Sequence, residues 1–534
     1  MSSQVNENRP NVLLILNDDM GFSDLGCYGG EVCTPNIDRL AREGLRFTQF
    51  YNTARCCPSR ASLLTGLHPH QANVGHMTDH SDEVDGYLGD LSRNAVTLAE
   101  ALKPAGYSTY MSGKWHVARH VHEPGNWPCQ RGFDEYYGII DGAANYFNPG
   151  TLTRNNERIE TPPGEYYLTD AISDEAVTQI RTHVERNPGK PFFQYVAYTA
   201  PHWPLQARPE DIGRYKGRFD RGWDALRQER LDRLVGMGII HPDWKLSPRD
   251  PSQPEWAKAE HKEWEVRRME VYAAQIDRMD QGIGRILNAL RNAGRLDNTL
   301  ILFLSDNGGC AEGIGVPPPG APFRWTSAVT RDGVPVRIGN DPSIMPGGEE
   351  TFQSYSVAWA NVSNTPFRKY KHWVHEGGIA TPLIVHWPEG IEERGGVRHQ
   401  PAQLPDIMAT CLDVAGAEYP EKCNGYAIKP LEGFSMVPIF EGGESDREVL
   451  YWEHEGNRAV RKGRWKLVCA YSGGWELYDT DQDRTESNDL SGEYPEIVEE
   501  LASLYDTWAK RCNVKPWDEI LAVRKKQREK DARK

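Results

Sequence analysis

Three absences narrow the field before any motif is read. No stretch approaches the roughly 18 consecutive apolar residues that a membrane-spanning helix needs, so no membrane partner is expected. There is no positive excess either: 61 Lys and Arg stand against 76 Asp and Glu, a formal charge of -15, whereas binding a nucleic-acid backbone requires a basic face. The ten cysteines include the adjacent pair Cys56-Cys57 but form neither a short-spaced disulfide framework nor a C-x-x-C metal pair, so free thiols are expected. The N-terminal apolar run, Val12 to Leu16, is shorter than the roughly 7–15 residues of a secretory core and reads as a buried strand. With no signal segment visible, a cytoplasmic location is expected, or a periplasmic one if a signal has been removed.

What is present is a globular composition. The 534 residues are 39% hydrophobic, 10% aromatic and 26% charged, enough for one large or two ordinary domains with ample core. Strand-like runs at Asn11–Leu16, Tyr107–Met111, Phe192–Tyr198, Thr299–Leu304 and Pro382–Trp387 alternate with helical periodicity. Helices are predicted after the Thr34-Pro35 cap, closed by Gly44, and across Val96–Lys103, Asp170–Val184 and Glu265–Asn292. That order predicts an α/β fold with a mostly parallel sheet covered by helices on both faces. From about Glu448 short alternating strands (Val449–Glu453, Asn457–Val460, Trp465–Ala470, Trp475–Tyr478) and a helix over Pro495–Ala509 predict a small antiparallel subdomain. The division is therefore 1–447, 448–523 and a basic, solvated tail over 524–534. Gly308–Gly348, with Pro317-Pro318-Pro319, reads as a long loop over the sheet edge, a place where function gathers. There is no internal repeat.

Five polar clusters follow predicted strands or open helices: Asp18-Asp19, Cys56 to Arg60, Lys114-Trp115-His116, Pro201-His202-Trp203 and Asp306-Asn307. In open α/β sheets the ligand crevice lies beyond the carboxyl ends of the strands, so these clusters are expected to converge. The acidic pairs offer only oxygen donors, a set that selects Ca²⁺ or Mg²⁺ over zinc, although each pair alone is also a good turn former. In Cys56-Cys57-Pro58-Ser59-Arg60-Ala61-Ser62-Leu63-Leu64-Thr65-Gly66 a proline in the first helical turn places Cys56 at a helix N-terminus, which favours an anion, with Arg60 one turn on. The plain alternative is a buried, inert thiol.

The string Cys-x-Pro-Ser-Arg-x-x-x-Leu-Thr-Gly, matched by Cys56, Pro58, Ser59, Arg60, Leu64, Thr65 and Gly66, resembles the signature of the type I sulfatases, in which that cysteine is oxidised to formylglycine. The resemblance runs from Asn11 to the C-terminal strands. Through Ala200-Pro201-His202-Trp203-Pro204-Leu205-Gln206 and Ala225 to Leu231 the chain is similar to pseudomonad-type arylsulfatases of the alkaline phosphatase superfamily. The resemblance implies an alkaline-phosphatase-like α/β/α sandwich and a sulfuric ester hydrolase that cleaves aryl or carbohydrate sulfate monoesters through hydrated formylglycine and a sulfo-enzyme intermediate. It also implies one Ca²⁺ held by Asp18, Asp19, Asp306 and Asn307, a catalytic set of Cys56, Arg60, Lys114, His116, His202 and Lys371, and a partner enzyme that makes the formylglycine. One departure is visible: where the family often reads Gly-Gly-x-Arg-x-Pro, Gly377-Gly378-Ile379-Ala380-Thr381-Pro382 has alanine, so altered support is expected there. Two alternatives stay open, a phosphonate monoester or phosphodiester hydrolase of the same superfamily and a non-catalytic binder of sulfated glycans. His68, His70, His76, His372 and His375 lie near the motifs as candidates for the rim, and most of the 16 tryptophans read as core.

Overall fold

The computed structural model describes residues 9–78, 83–318 and 323–531; Pro319 of the proline run and the last residues of the basic tail lie outside them. The large sheet is built on β1 (Asn11–Asn17), β2 (Leu45–Tyr51), β3 (Ser108–Lys114), β4 (Glu135–Ile139), β5 (Phe192–Ala197), β6 (Thr299–Ser305) and β7 (Ala380–His386). Their order is β2-β7-β6-β1-β5-β3-β4, with short strands beyond both ends. β1 pairs parallel with β5 and β6, in register Ile15 to Val196 and Leu16 to Leu304. β7 alone among these seven runs antiparallel to its neighbours β2 and β6.

β1 is apolar at every position from Val12 to Leu16 because both faces are covered. Alternate residues feed opposite cores: Leu13 and Ile15 pack with α1 (Pro35–Glu43) and the long helices Leu168–Arg186 and Lys262–Asn292. Val12, Leu14 and Leu16 pack with the helices Cys56–Thr65 and Leu404–Ala415. The result is the α/β/α sandwich that the apolar runs imply.

The topology also decides where the site falls. β1, β2, β3, β5 and β6 all point the same way, so the segments after Asn17, Tyr51, Lys114, Ala197 and Ser305 emerge at one edge of the sheet. β7 is reversed, which brings the residues that precede it, ending in Glu376–Ile379, to the same edge. β2 has no counterpart among the predicted strands: its Leu-Arg-Phe-Thr-Gln-Phe-Tyr sequence is broken by polar residues, because Arg46 and Gln49 lie half-buried near the sheet border.

A second sheet of four antiparallel strands, β8 (Val449–His454), β9 (Asn457–Lys462), β10 (Trp465–Cys469) and β11 (Glu476–Asp479), packs Val460, Leu467 and Leu477 against Leu501, Tyr505 and Trp508 of the helix Pro495–Cys512. The basic tail expected from residue 524 continues a helix over Trp517–Asp531 that is mostly exposed beyond Arg524, while Arg524 itself meets His76 Nδ1 at 2.7 Å. The apolar residues Trp517 and Ile520 anchor that helix, a signal too short to register beside its many charges. All ten cysteines are free thiols, and among the described residues no helix is long and apolar enough to cross a membrane.

The two sheets are tied by a buried charge network. Glu376, just ahead of β7, accepts from Lys466 Nζ of β10 at 2.8 Å, Arg484 Nε at 2.6 Å and the Tyr51 hydroxyl at 3.0 Å. Lys466 also meets Glu486 at 2.7 Å. Burial works against the Glu376 charge, but Lys466 and Arg484 outweigh it and hold the carboxyl at about 2. Lys466 lies on the C-terminal sheet and Arg484 in the segment after it, while Ala380, where an arginine is usual, is fully buried beside Tyr51. Glu376→Gln leaves two buried cations short of a counter-charge and is expected to cost about 3 kcal/mol, read as a lower denaturation midpoint in urea, whereas a substitution at exposed Glu444 changes nothing measurable.

Candidate active site

Cys56 is the first residue of the helix Cys56–Thr65, all ten of whose residues are buried. Pro58 falls in the first turn, where its missing N–H is one of the groups a helix leaves unpaired. Gly66 closes the helix in the left-handed conformation with φ 67. Ser59 ties the entry, its Oγ accepting from the Thr53 N–H at 3.1 Å. The matched positions of the signature are thus mostly the means of fixing this helix under the sheet edge. The Cys56 thiol is pushed well below its ordinary value, first by a hydrogen bond from Cys57 and then, against burial, by Lys114, His116 and Lys371. Position 56 therefore sits where a negative charge is favoured.

The floor is made by the two acidic pairs. Asp18 and Asp19 follow β1, Asp306 and Asn307 follow β6, and the parallel pairing of those strands sets them side by side. The Asp19 N–H donates to Asp306 Oδ1 at 3.2 Å, and Asn307 Nδ2 donates to Asp19 Oδ1 at 2.6 Å. Asp18 Oδ1 and Asn307 Oδ1 are buried with no hydrogen-bond partner among the described residues. Lys114 Nζ meets Asp18 Oδ2 at 2.5 Å, and Arg60 grips Asp306 Oδ2 through Nε at 3.0 Å and Nη2 at 2.8 Å. Burial and the charge of Asp18 nevertheless push the Asp306 carboxyl well above the usual carboxylate range. Asp18, opposed by burial but held by Lys114, His202 and Arg60, stays at about 2. Such a floor offers only oxygen donors, two of them without a hydrogen-bond partner among the described residues, a set that fits Ca²⁺ or Mg²⁺.

Above the floor stand three further groups. Lys371 Nζ lies 2.9 Å from Asp19 Oδ1 and 3.4 Å from His202 Nε2; burial opposes its charge, but Asp19 outweighs it and keeps the ammonium well above its ordinary value. His202 Nδ1 lies 2.7 Å from the Trp203 carbonyl, to which it donates, and this leaves Nε2 facing Lys371 and Asp19. Burial lowers the pKa of both His202 and His116, so both rings are neutral near pH 7. His116, with φ 54, reaches Cys57 Sγ from Nε2 at 3.1 Å, and its ring lies so close to Gly142 that a Cβ there would fall 2.4 Å from it.

The ten residues singled out from the sequence are therefore brought together, with Cys56, His116, His202 and Lys371 lining one cavity of about 280 Å³. Sequence reasoning named Trp203 beside His202 and the loop that holds Glu312, Arg324 and Trp325, but missed the rest of the outer wall: the partners of that loop, Arg55 to Glu312 at 2.6 Å and Asp141 to Arg324 at 2.9 Å, and Glu455 with Arg524 from the C-terminal region. None of these carries a motif of its own. Of the rim histidines, His76 lines the cavity and His372 touches Glu455 at 2.9 Å. His68 packs on Trp508, His70 meets Glu453 at 2.7 Å and His375 meets Arg368 at 3.1 Å, which makes those three part of the interface between the sheets. Gly142→Ala is expected to push the His116 ring aside and lower kcat by about 100-fold while KM and the melting temperature change little, as measured on one aryl sulfate.

Comparison with known proteins gives the same picture. The sulfatase family model matches residues 10–417, and the model for the C-terminal region of N-sulphoglucosamine sulphohydrolase matches residues 367–510. An uncharacterized sulfatase of Schizosaccharomyces pombe is 33% identical over 533 residues, 94% of this chain and 93% of that protein. The arylsulfatase of Klebsiella aerogenes is 34% identical over 450 residues, 81% of this chain and 92% of its own. Among solved structures, Ps i-CgsB in complex with k-i-k-neocarrahexaose superposes with a TM-score of 0.66 at 26% identity, covering 94% of this chain and 93% of that one. With most of its length matched by the family model and its chemistry gathered at one sheet edge, the chain belongs to the sulfatase family and is a sulfuric ester hydrolase.

Proposed function

We propose that this sulfatase cleaves the sulfate monoester of a small phenol or sugar with Cys56 matured to formylglycine and one Ca²⁺ held by Asp18, Asp19, Asp306 and Asn307. The observation that carries the reading is the convergence of Lys114, His116 and Lys371 on residue 56, beside an all-oxygen floor in which Asp18 Oδ1 and Asn307 Oδ1 have no hydrogen-bond partner among the described residues. Formylglycine supplies a hydrated aldehyde as nucleophile, and Ca²⁺ supplies the charge that makes its hydroxyl acidic and balances the ester's anion. Every remaining task falls to side chains of this chain.

Lys114 and Lys371, both buried and both anchored on a carboxylate, hold sulfate oxygens in place without moving as charge shifts in the reaction. Arg60 does not reach the substrate side; its two bonds to Asp306 fix the orientation of that carboxylate, which makes it a positioning residue. Neutral His202 offers Nε2 toward Lys371, and a proton shared between the two reaches the departing oxygen. Neutral His116, with a buried Nδ1 and its Nε2 turned to the cysteine pair, accepts the proton released at residue 56. The bound ring meets Trp203 and Trp325, 5.2 Å apart at the cavity wall, a surface suited to a phenol or a sugar face. The named relatives fit that range, one an arylsulfatase and one bound to a neocarrahexaose. The substrate and the enzyme that matures Cys56 are the outside partners, and the ten free thiols suit a reducing, cytoplasmic setting.

Two measurements test the reading. Cys56→Ala is expected to abolish turnover of p-nitrophenyl sulfate, whereas Cys57→Ala, which removes one contact to His116, keeps activity within about tenfold of wild type. Equal losses from both variants would count against residue 56 as the nucleophile. Stripping divalent cations is expected to abolish activity and to lower the melting temperature, and CaCl₂ restores both by binding the folded floor. Full activity of a protein shown by elemental analysis to hold no divalent cation sinks the metal assignment.

A further inference from the structure

A second cluster of ligating side chains lies on the outer wall of the cavity, away from the oxygen floor. It is built where β8 turns into β9. Glu455 and Gly456 both take positive φ, 50 and 79, the geometry of a tight hairpin, and this turn presents the Glu455 carboxylate to the cavity. His454, the last residue of β8, is completely buried, and neither of its ring nitrogens has a hydrogen-bond partner among the described residues. A neutral imidazole carries one donor and one acceptor, so this ring leaves two buried polar atoms unsatisfied, each at the cost of its lost hydration. Such a cost calls for a ligand.

The neighbours say which kind. The His76 ring stacks on His454 with planes 7° apart and centroids at 5.6 Å, and its Nε2 is hydrogen-bonded to Glu455 Oε1. His454 Nε2 stands 4.0 Å from that same oxygen. The donor atoms of His76, His454 and Glu455 all lie within 4.8 Å of one another. His372 Nδ1 holds the other Glu455 oxygen at 2.9 Å, as an outer histidine orients a ligating carboxylate.

We infer that His76, His454 and Glu455 form a second cation site, of the class that takes Zn²⁺ or a similar imidazole-loving transition metal, distinct from the oxygen floor. Two imidazoles and one carboxylate are the three-ligand set of open zinc sites, whose fourth position takes water or substrate. Bonds of about 2.0 Å at tetrahedral angles separate donors by about 3.3 Å, so His454 closes slightly on Glu455 while His76 parts from it. The fourth position opens on the cavity that Cys56 also lines, where an oxygen of the bound ester's alcohol portion completes it. Arg524 is the competitor: its guanidinium lies 2.7 Å from His76 Nδ1, and a metal-bound His76 must protonate that nitrogen, so Arg524 swings out when the cation enters. The site stands whichever ester is cleaved.

The test is metal stoichiometry on the full-length protein. After chelation and exchange into buffer holding CaCl₂ and ZnCl₂, with excess metal removed by gel filtration, elemental analysis is expected to find one zinc per chain in the wild type. Glu455→Gln, at the hairpin tip and able to keep the turn, and His454→Asn each lose that zinc but retain calcium, and calcium retention reports that the fold and the floor are intact. Arg524→Gln is expected to tighten zinc binding about tenfold in competition with a chromophoric chelator. A wild type that binds no zinc, or zinc that persists in both Glu455→Gln and His454→Asn, overturns the site.

Discussion

Everything at the catalytic edge depends on the balance between three buried carboxylates and the cations set against them. Asp18, Asp19 and Asp306 are each essentially inaccessible to water, and each has its own partner: Lys114, Lys371 and Arg60. A buried ion of one sign costs several kcal/mol, so the fold tolerates this concentration of charge only because the partners come from three different elements delivered to the same place. In the proposed reaction two of those cations, Lys114 and Lys371, also hold the anionic ester, so that recognition and stability draw on the same ion pairs. The parallel sheet makes this possible, since only parallel neighbours bring several strand ends to one edge.

The C-terminal sheet has the corresponding role in the next layer outward. Lys466 and Arg484 neutralise Glu376 on the segment that carries Lys371, while Glu455 and Arg524 close the far wall of the cavity. Ala380 at the start of β7 is fully buried beside this network.

How much of this is legible in the chain follows from the range of each interaction. β1, β5 and β6 are buried on both faces and announce themselves as unbroken apolar runs, and the acidic and basic clusters at their ends are read off directly. The helix beginning at Cys56 is legible because its cap, proline and terminal glycine are local. β2 is not, because a strand near the sheet border carries Arg46 and Gln49, and its identity comes from pairing with β7 more than 300 residues on. The cavity wall is illegible for the same reason: Asp141 finds Arg324, and His76 finds Glu455, only through tertiary contact. The final helix is hidden by composition, since charge dominates it and only Trp517 and Ile520 hold it down.

The complete enclosure of the helix Cys56–Thr65 has a temporal consequence. Cys56 is 1% exposed in the finished fold, reachable through a cavity wide enough for one small ring but not for the active site of another protein. Any macromolecule that acts on this residue must take hold of the segment while it is still an extended strand of nascent chain. On the proposed function, the interval before β7 and the C-terminal residues close over the pocket is the time in which residue 56 is open to a maturation enzyme.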